Sequence, residues 1–380
     1  MITQIELSLF KCFQILKLPL GRLTLLSGAN ASGKSTILQA MVLLHQTMLD
    51  HEWSTRLQLN GTEIKLGTVT DIVDKVHGRR EFGIAIEDDG CSIKWTFAYG
   101  DDKEAMSAAV AAVSVDGRFV NRPDRLRFLL PEPLGAADSL AQRLRVLTYL
   151  TAERIGPRDV YDLRDPSVTQ VVGPCGDNAV GLLFQQREMT VLPPLALASD
   201  PPTLLKQVEA RMKKFFPGTS LVVQHVSQTN NVTLGIRTSD ATDFHRPVHV
   251  GFGLTQILPI IVSALAAKAG DILLIENPEV HLHPAGQGLM GQFLAEVATA
   301  GVQVLTESHS DHVFNGIRRA VKAGKLPPGD VALHFFRPRD DGGGQVTTPI
   351  LDFAGNIDHC PTGFFDQFDK DLNYFAGWGE

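Results

Sequence analysis

Apolar runs of strand length alternate with helical patterns in the carboxy-terminal third of the chain. Predicted strands lie at 272–275, 302–305 and 331–336, and predicted helices lie near 286–300 and 312–323. The same order appears early in the chain, where a buried strand at 23–26 precedes a helix at 35–49. The apolar face of that helix is too wide for the surface, so we expect it to pack against a sheet. Strand–helix alternation with short connections indicates parallel β units, and therefore an α/β fold.

Other segments follow the two-residue period of strands and predict antiparallel pairs. These segments are 2–9 with 13–18, 57–66 around the turn at Asn60 and Gly61, 82–87 with 92–99, and 221–226 with 232–237. Helices are predicted at 139–148, 178–186 and 202–216. The stretch 101–138 is weakly patterned and rich in alanine, aspartate and proline, so it is a candidate insertion or mobile arm.

These patterns predict four consecutive parts of the chain. They are an N-terminal lobe with antiparallel strands at 1–100, an insertion or arm with a helical region at 101–240, a second α/β lobe at 241–340, and a tail at 341–380. The tail is rich in aromatic residues. We expect it to dock on the core, although a partner-binding surface is the alternative interpretation.

Composition limits the possible partners. The net charge is −7, so no overall basic field draws the chain to nucleic acid or to anionic lipid. The most apolar segment, 257–275, is about as long as a membrane span, but Pro259 and three polar or glycine residues after it interrupt the segment. A buried helix followed by a strand explains it better. The amino terminus lacks the apolar stretch of a signal peptide, so we expect a cytoplasmic protein without membrane contact.

Two groups of basic residues leave alternatives open. The predicted helix at 202–216 is the best local candidate for a nucleic-acid contact, and a solvated helix face is the other interpretation; its basic residues are Lys206, Arg211, Lys213 and Lys214. Arg154 and Arg158 flank a Gly–Pro turn. They fit either a phosphate or carboxylate partner or a structural salt bridge.

The stretch 28–36 fits the phosphate-binding pattern G-x-x-x-x-G-K-[ST], with Gly28, Gly33, Lys34 and Ser35 at the fixed positions. It lies between a predicted strand and a predicted helix, which is the context that the motif requires. The backbone N–H groups of such a loop bind phosphate, here those of Asn30, Ala31, Ser32, Gly33, Lys34, Ser35 and Thr36. Lys34 would reach the β- and γ-phosphates, and the Ser35 hydroxyl would bind Mg²⁺. The sequence therefore predicts a nucleoside triphosphate site.

Acidic residues follow the apolar strand predicted at 272–275. Because the carboxyl end of such a strand lies near the phosphate loop in a P-loop sheet, Glu276 is expected to hold Mg²⁺, through a water molecule, together with Ser35. Hydrolysis also needs a group that orients or deprotonates the attacking water. Glu279 and Asn277 are the nearest candidates for that role.

His309 follows the next apolar strand and is expected at the same edge of the sheet. It could donate a hydrogen bond to the γ-phosphate or to the attacking water. The alternative is a capping loop, since Ser310 and Asp311 are good helix N-caps, and both interpretations can hold together.

Three motifs resemble the ABC-type ATPase heads of the RecF, SMC and overcoming-lysogenisation-defect (OLD) proteins. They are GANASGKST at 28–36, LLIENPEVHLHP at 273–284 and TESHSD at 306–311. More narrowly, the chain is similar to small bacterial AAA-type ATPases that carry a short uncharacterised C-terminal domain. The segments that carry this similarity are AERIGPR at 152–158, VGFGLTQILP at 250–259, GIRRAV at 316–321 and PTGFFDQ at 361–367. The resemblance touches most of the chain except roughly 100–140.

The resemblance implies a P-loop ATPase head in which a mixed sheet is flanked by helices, with an antiparallel β subdomain and a helical insertion. It also implies a homodimer that sandwiches two ATP molecules, each between one subunit's phosphate loop and the other's signature loop. The signature equivalent here is 251–256, in which Gly251 and Gly253 would bring backbone donors to the γ-phosphate and Thr255 would supply a hydroxyl.

One position departs from the ABC pattern. The residue that follows the metal-binding acid is usually a catalytic glutamate, whereas here it is Asn277. Asparagine orients water but does not accept its proton. Either Glu279 takes the role of the base, or turnover is slow and the protein acts as a nucleotide-timed clamp.

The resulting hypothesis is an ATPase that uses ATP and Mg²⁺ and whose ATP-driven dimerisation switches a partner. Proteins that resemble this chain are often encoded in anti-phage defence or DNA-repair operons, beside a separate effector. The alternatives are a RecF-like DNA-repair ATPase that binds DNA directly and a metabolic P-loop kinase. A kinase would leave the GFGLTQ and SHSD loops unexplained.

Overall fold

A computed structural model describes residues 1–77, 80–165, 171–339, 345–361, 363–365 and 367–377, with the backbone alone at 367–369. The strands are β1 Ile2–Phe10, β2 Phe13–Pro19, β3 Leu23–Gly28, β4 Arg56–Gln58, β5 Glu81–Asp88, β6 Ser92–Ala98, β7 Ser107–Val115, β8 Arg118–Asn121, β9 Thr148–Leu150, β10 Tyr161–Asp162, β11 Ser220–His225, β12 Asn231–Arg237, β13 Ile272–Glu276, β14 Gln303–Glu307, β15 Val331–Phe336 and β16 Val346–Thr347. The helices are α1 Lys34–Asp50, α2 Val69–Ile72, α3 Ala137–Arg145, α4 Ala179–Gln185, α5 Leu204–Phe215, α6 Phe252–Ala266, α7 Pro284–Thr299, α8 Asp311–Lys322 and α9 Gln367–Phe375.

A six-stranded sheet in the order β16-β15-β3-β14-β13-β9 forms the centre of the molecule. The strands from β15 to β9 are parallel, and β16 is an antiparallel edge strand. Successive side chains of a strand point to opposite faces, so Leu273 and Ile275 enter one hydrophobic core while Ile272 and Leu274 enter the other. Helix α1 lies on one side, and α6, α7 and α8 lie on the other. The predicted α/β alternation is confirmed.

A second, antiparallel sheet packs over α1 in the order β2-β1-β5-β6-β7-β4, and β8 also pairs with β7. The predicted hairpin of β5 with β6 is confirmed. The expected hairpin at 57–66 is wrong, because β4 pairs with β7 and only a bridge from Asn60 to Lys65 closes the turn. The stretch 101–138 is not an arm, since β7 and β8 extend this sheet past residue 100.

A three-stranded sheet, β10-β12-β11, contains the predicted hairpin at 221–237 and packs beside α4 and α5. The apolar segment after residue 251 forms the buried helix α6 followed by β13, as predicted. Within the described residues, no helix is both long and apolar enough to cross a membrane.

The aromatic tail docks on the core only in part. Phe364 is buried and contacts Phe314 and Phe335, with ring centroids 5.1 and 5.4 Å apart. In contrast, Tyr374 and Phe375 on α9 are exposed, as is Phe353. The predicted docking therefore holds at 364–365 and not at α9; Trp378 lies outside the described residues.

Candidate nucleotide-binding site

The phosphate loop joins the end of β3 to the start of α1, and two of its glycines are required by geometry. Gly28 has a φ of +134°, and an added Cβ would lie 2.1 Å from the carbonyl oxygen of Phe336. Gly33 has a φ of +99°, and its Cβ would lie 2.5 Å from the Sγ of Cys12. No other residue fits these positions without moving backbone or core. The sequence therefore builds a tight loop at a helix N-terminus, where backbone N–H groups bind anions.

The charged residue closest to Lys34 and Ser35 is Glu307, at the end of β14. The Ser35 hydroxyl donates to its Oε2 at 2.7 Å, and the Lys34 ammonium lies 3.7 Å from Oε1. Lys34 also donates to the carbonyl of Ala29 at 2.7 Å. Burial lowers the pKa of Lys34, and attraction to Glu307 opposes that shift. Burial also raises the pKa of Glu307, against the hydrogen bond from Ser35.

Glu307, and not Glu276, contacts Ser35 directly, and the expected role of Glu276 in holding Mg²⁺ together with Ser35 stays a prediction. Strand β14 lies between β3 and β13, so Glu307 is one strand nearer to the phosphate loop than Glu276. The carboxylate of Glu276 accepts hydrogen bonds from the Tyr149 hydroxyl at 2.8 Å and from the backbone N–H of Ala152 at 3.2 Å. The sequence motifs do not point to Glu307, because its position beside the phosphate loop follows from strand order and not from motif spacing.

Glu279 and His309 are brought together. One oxygen of Glu279 accepts from the Ser308 hydroxyl at 2.9 Å and the other from the backbone N–H of His309 at 2.8 Å. The His309 side chain is 39% exposed, and its Nε2 lies 3.9 Å from Glu307. Burial and the nearby Lys34 charge lower the pKa of His309, which favours the neutral imidazole. Ser310 caps α8 by accepting from the N–H of Val313, so the predicted capping loop is also present.

Arg154 holds the turn after β13. Its buried guanidinium donates to the carbonyl oxygens of Thr151, Glu276 and Asn277, at 3.0, 2.8 and 2.8 Å. Asn277 has a φ of +44°, and its buried Oδ1 has no hydrogen-bond partner among the described residues. The sequence left two alternatives for Arg154, a phosphate or carboxylate partner and a structural salt bridge. The hydrogen bonds of Arg154 fit neither, because their acceptors are backbone carbonyl oxygens.

A cleft of about 430 Å³ opens above the phosphate loop. Its lining comprises 30–36, Glu307, His309 and two residues that sequence analysis missed, Lys11 and Cys12. This lining does not include Glu276, Asn277 or Glu279. Glu276 is paired with Glu307 in the neighbouring strand, and Glu279 accepts a hydrogen bond from the backbone of His309. The phosphate loop and the His309 loop thus converge on one cleft, with the carboxylate of Glu307 between them.

The signature-like loop lies outside this cleft. Helix α6 begins after Gly251, which is exposed, and Phe252 is 44% exposed and packs edge-on against His281. Gly253 lies against the backbone of His281, where a Cβ would be 2.7 Å from the carbonyl oxygen. Thr255 is only 5% exposed, and its hydroxyl donates to the carbonyl of Phe252. The Thr255 hydroxyl, which the resemblance assigns to the signature loop, is therefore bonded within its own helix.

Residues 1–110 and 203–314 match the family described as AAA ATPase domain, which is more than half of the chain. The chain belongs to the AAA ATPase family. Residues 326–374 match a second family, described as a protein of unknown function, DUF3696. No curated protein matches the sequence.

Solved structures show the same fold for this ATPase. One is an Smc head bound to the C-terminal winged-helix domain of ScpA, with a TM-score of 0.55 and 14% identity over 92% of this chain and 98% of that chain. Another is an Smc head domain with an extended coiled coil bound to the C-terminal domain of ScpA, derived from Pyrococcus furiosus. Its TM-score is 0.54, with 14% identity over 99% of both chains. The ATPase therefore has the fold of these Smc heads.

The residues of the cleft fit ATP with Mg²⁺. The tight loop that Gly28 and Gly33 allow presents N–H donors to phosphate, and Lys34 supplies the positive charge. A serine hydroxyl and a carboxylate in direct contact form a set of oxygen ligands, which are the ligands that Mg²⁺ prefers. The lining therefore suits a triphosphate–magnesium complex.

The basic helix of the sequence prediction is not a free cationic face. Arg211 of α5 is buried and bonds to Glu296. Lys206 and Lys213 both lie near Glu209, at 3.3 and 3.9 Å. Burial therefore removes Arg211 from the basic face of α5, whereas Lys206 and Lys213 are about half exposed beside Glu209.

Proposed function

We propose that two copies of this ATPase close around ATP, and that hydrolysis releases them. The observation that carries the proposal is the position of the α6 N-terminus. It lies outside the cleft of its own chain, yet it has the exposed glycine and the helix N-terminus without a side-chain cap that suit an anion site. In a face-to-face pair, each such end would meet the triphosphate bound by the other copy.

The side chains that line the cleft and those of the turn after β13 have distinct roles in this proposal. Lys34 binds the β- and γ-phosphates, and neutral His309 donates a hydrogen bond to the γ-phosphate or to the attacking water. Glu279 accepts the proton of that water, and Asn277 helps to orient it. Ser35 and a neighbouring carboxylate would hold Mg²⁺, which would supply positive charge to the triphosphate. From α6, backbone N–H groups near Gly251 approach the γ-phosphate; the buried Thr255 takes no direct part.

We further propose that closure of the pair switches an effector protein, in bacterial anti-phage defence. The support is the resemblance of 152–158 and 250–259 to small bacterial ATPases encoded beside effectors. Both Smc heads of the same fold are bound to a domain of another protein, ScpA, which supports partner docking on a head of this type. Direct DNA binding is the alternative, and the burial of Arg211 against Glu296 weakens its main sequence support.

Mass measurement in solution tests the proposed pair. The Glu279→Gln variant, which should bind ATP without turning it over, is expected to become dimeric on addition of ATP and Mg²⁺. Adding Lys34→Ala or Phe252→Glu to that variant should keep it monomeric. Phe119→Glu is the matched control, since Phe119 is an exposed aromatic on β8, away from α6. If the mass of every variant is the same with and without ATP and Mg²⁺, the proposed pair is rejected.

The partner is tested with the same variant. Glu279→Gln should co-purify with the product of a neighbouring gene in the presence of ATP and lose it when Lys34 is also replaced. DNA-stimulated hydrolysis with a steep dependence on salt, and no such co-purification, would favour the DNA-binding alternative.

A further inference from the structure

Two carboxylates stand side by side at the edge of the parallel sheet. Glu276 ends β13 and Glu307 ends β14, and the two residues are directly paired in the register of these parallel strands. Paired residues of neighbouring strands point to the same face, so both carboxylates lie on the side that carries the phosphate loop. Sequence spacing alone favours Glu276 as the magnesium ligand. The contacts favour the other residue.

The carboxylate of Glu307 already touches the P-loop groups that bind a nucleotide–metal complex. Its Oε2 accepts from the Ser35 hydroxyl at 2.7 Å, and its Oε1 lies 3.7 Å from the Lys34 ammonium. It also lines the cleft. Glu276 does not line the cleft, and its two oxygens are engaged by the Tyr149 hydroxyl and the Ala152 N–H.

The backbone of Glu307 is fixed from both sides. Its carbonyl accepts from the N–H of Asn277 at 2.8 Å, and the next N–H, that of Ser308, donates to the carbonyl of Leu26 at 3.0 Å. Glu279 then anchors the loop that follows, through Ser308 and His309. A ligand held this rigidly needs little reorganisation when a cation binds.

The negative charge of Glu307 affects how the site binds a nucleotide. A triphosphate bound by Lys34 and Ser35 would bring negative oxygens against a buried carboxylate, and the two would repel each other strongly in this poorly solvated cleft. A divalent cation between them converts the repulsion into attraction on both sides. A carboxylate at this position therefore penalises nucleotide without metal and favours nucleotide with metal.

We propose that Glu307 is the protein carboxylate that holds Mg²⁺ together with Ser35, and that Glu276 is not a ligand of the metal. The assignment rests on the proposed use of ATP with Mg²⁺. It makes the ATPase selective for the metal complex of the nucleotide over free ATP.

Equilibrium binding of a fluorescent ATP analogue, titrated in EDTA and in Mg²⁺, tests the assignment without using turnover. Mg²⁺ should tighten binding to the wild type and to the matched control Glu276→Gln. In Glu307→Gln the tightening by Mg²⁺ should shrink by about 10-fold or more, since replacing even a group that only supports a metal ligand typically costs that much in metal affinity. Binding in EDTA should be equal to that of the wild type or stronger, because the repelling charge is gone.

Several outcomes would overturn the assignment. If Glu276→Gln loses the effect of Mg²⁺ and Glu307→Gln keeps it, Glu276 is the ligand. If both variants lose it, the two acids share the metal and the exclusive role of Glu307 is wrong. Should Glu307→Gln not fold, as judged by circular dichroism, Glu307→Asp serves instead; it keeps the charge but withdraws the oxygens by one methylene. It should lose part of the Mg²⁺ effect, whereas Glu276→Asp should not.

Failure here is distinct from failure of the proposed pair. Magnesium-dependent binding that follows Glu307, without dimerisation of Glu279→Gln, would leave this inference standing and reject the pair. Dimerisation with ATP and Mg²⁺, together with an unchanged magnesium effect in Glu307→Gln, would do the reverse.

Discussion

At the scale of single residues, Glu279 has two possible functions, which its hydrogen bonds do not separate. Both oxygens are occupied by the loop of Ser308 and His309, so the carboxylate is at least an anchor for His309. It also lies near enough to that imidazole to raise the pKa of His309, although burial and Lys34 lower that pKa overall. A base role requires the carboxylate to accept a proton from water beside the γ-phosphate. An anchor role requires only the two hydrogen bonds.

Paired substitutions separate these functions. Glu279→Gln should lower kcat by about 10²-fold or more, the usual contribution of a general base, and leave the affinity for ATP nearly unchanged. Ser308→Ala removes one anchoring hydrogen bond but keeps the carboxylate, so its kcat should fall far less. Steady-state hydrolysis and nucleotide binding measure both. Equal losses in the two variants would assign Glu279 to positioning alone.

A second residue-scale prediction concerns acid stability. His334 of β15 is fully buried between the carbonyl of Pro19 and the Thr348 hydroxyl, and burial lowers its pKa to about 4. Because the folded state binds the proton less tightly than the unfolded state does, stability is complete above about pH 6.5 and is lost as the pH falls towards 4. The full effect is about 3 kcal/mol.

The variant His334→Gln removes this proton uptake. Urea unfolding between pH 7 and pH 4.5 should therefore show a shallower loss of stability with falling pH than in the wild type. Some slope should remain, because burial also lowers the pKa of His45. Parallel pH profiles for the two proteins would show that His334 does not control acid sensitivity.

Some residues of the site are readable from sequence and others are not. Gly28, Gly33, Lys34 and Ser35 follow from one local motif, because a single turn brings them together. Glu307 and Tyr149 do not, since their proximity depends on the order in which the strands assemble. The burial of Thr255 also escapes the sequence, because a polar residue in the first turns of a helix has no pattern that tells which face it occupies.

At the scale of elements, one set of hydrogen bonds links the signature-like helix to the turn after β13. The Gln256 side chain of α6 donates to the backbone carbonyls of Arg154 and Ile155, at 3.2 and 3.1 Å. The guanidinium of Arg154 in turn holds the carbonyls of Glu276 and Asn277. The N-terminal end of α6 and the turn after β13 are therefore joined through the buried Arg154.

Elements with strong periodicity were predicted well, and those with weak periodicity were not. Helices α1 and α7 and strands β13 and β14 have long apolar patterns, and their predicted bounds differ from the observed ones by no more than a few residues. Four of the nine residues of strand β7 are alanine, which is depleted in strands, so its strand signal is weak and tertiary pairing with β6 decides its structure.

The C-terminal segment gives an element-scale prediction with an internal control. Phe364 is 2% exposed against Phe314 and Phe335, so Phe364→Ala should lower the free energy of unfolding by about 3–4 kcal/mol. Phe375 on α9 is 83% exposed, and Phe375→Ala should change stability by less than about 0.5 kcal/mol. Urea denaturation measures both. A small loss at Phe364 would mean that the tail does not depend on this contact.

At the scale of the whole molecule, the two halves of the proposed active site lie on separate surfaces of one chain. The phosphate loop lines the cleft, whereas Gly251 faces solvent with nothing within 4 Å of an added Cβ. The α/β fold of a P-loop ATPase was predictable because its motifs are local. The separation of these two surfaces was not, since it depends on where α6 begins relative to β3 across the sheet.

This separation makes the proposed pair testable by mixing two defective proteins. Lys34→Ala lacks the phosphate-binding ammonium. Gly251→Asp places a negative charge at the α6 end; it should fold normally, because Gly251 has a φ of −58° and open space around it. Neither variant alone should retain ATP in a dimer. In a mixed dimer, one site carries both defects and the other carries none.

Random mixing in equal amounts should therefore restore retained ATP to about one quarter of the wild-type level, because half of the dimers are mixed and each has one intact site. The measurement is ATP retained after rapid gel filtration, with Glu279→Gln present in every protein to prevent turnover. A site completed within one chain predicts a different result. Mixing would then restore nothing, because each chain would keep its own defect.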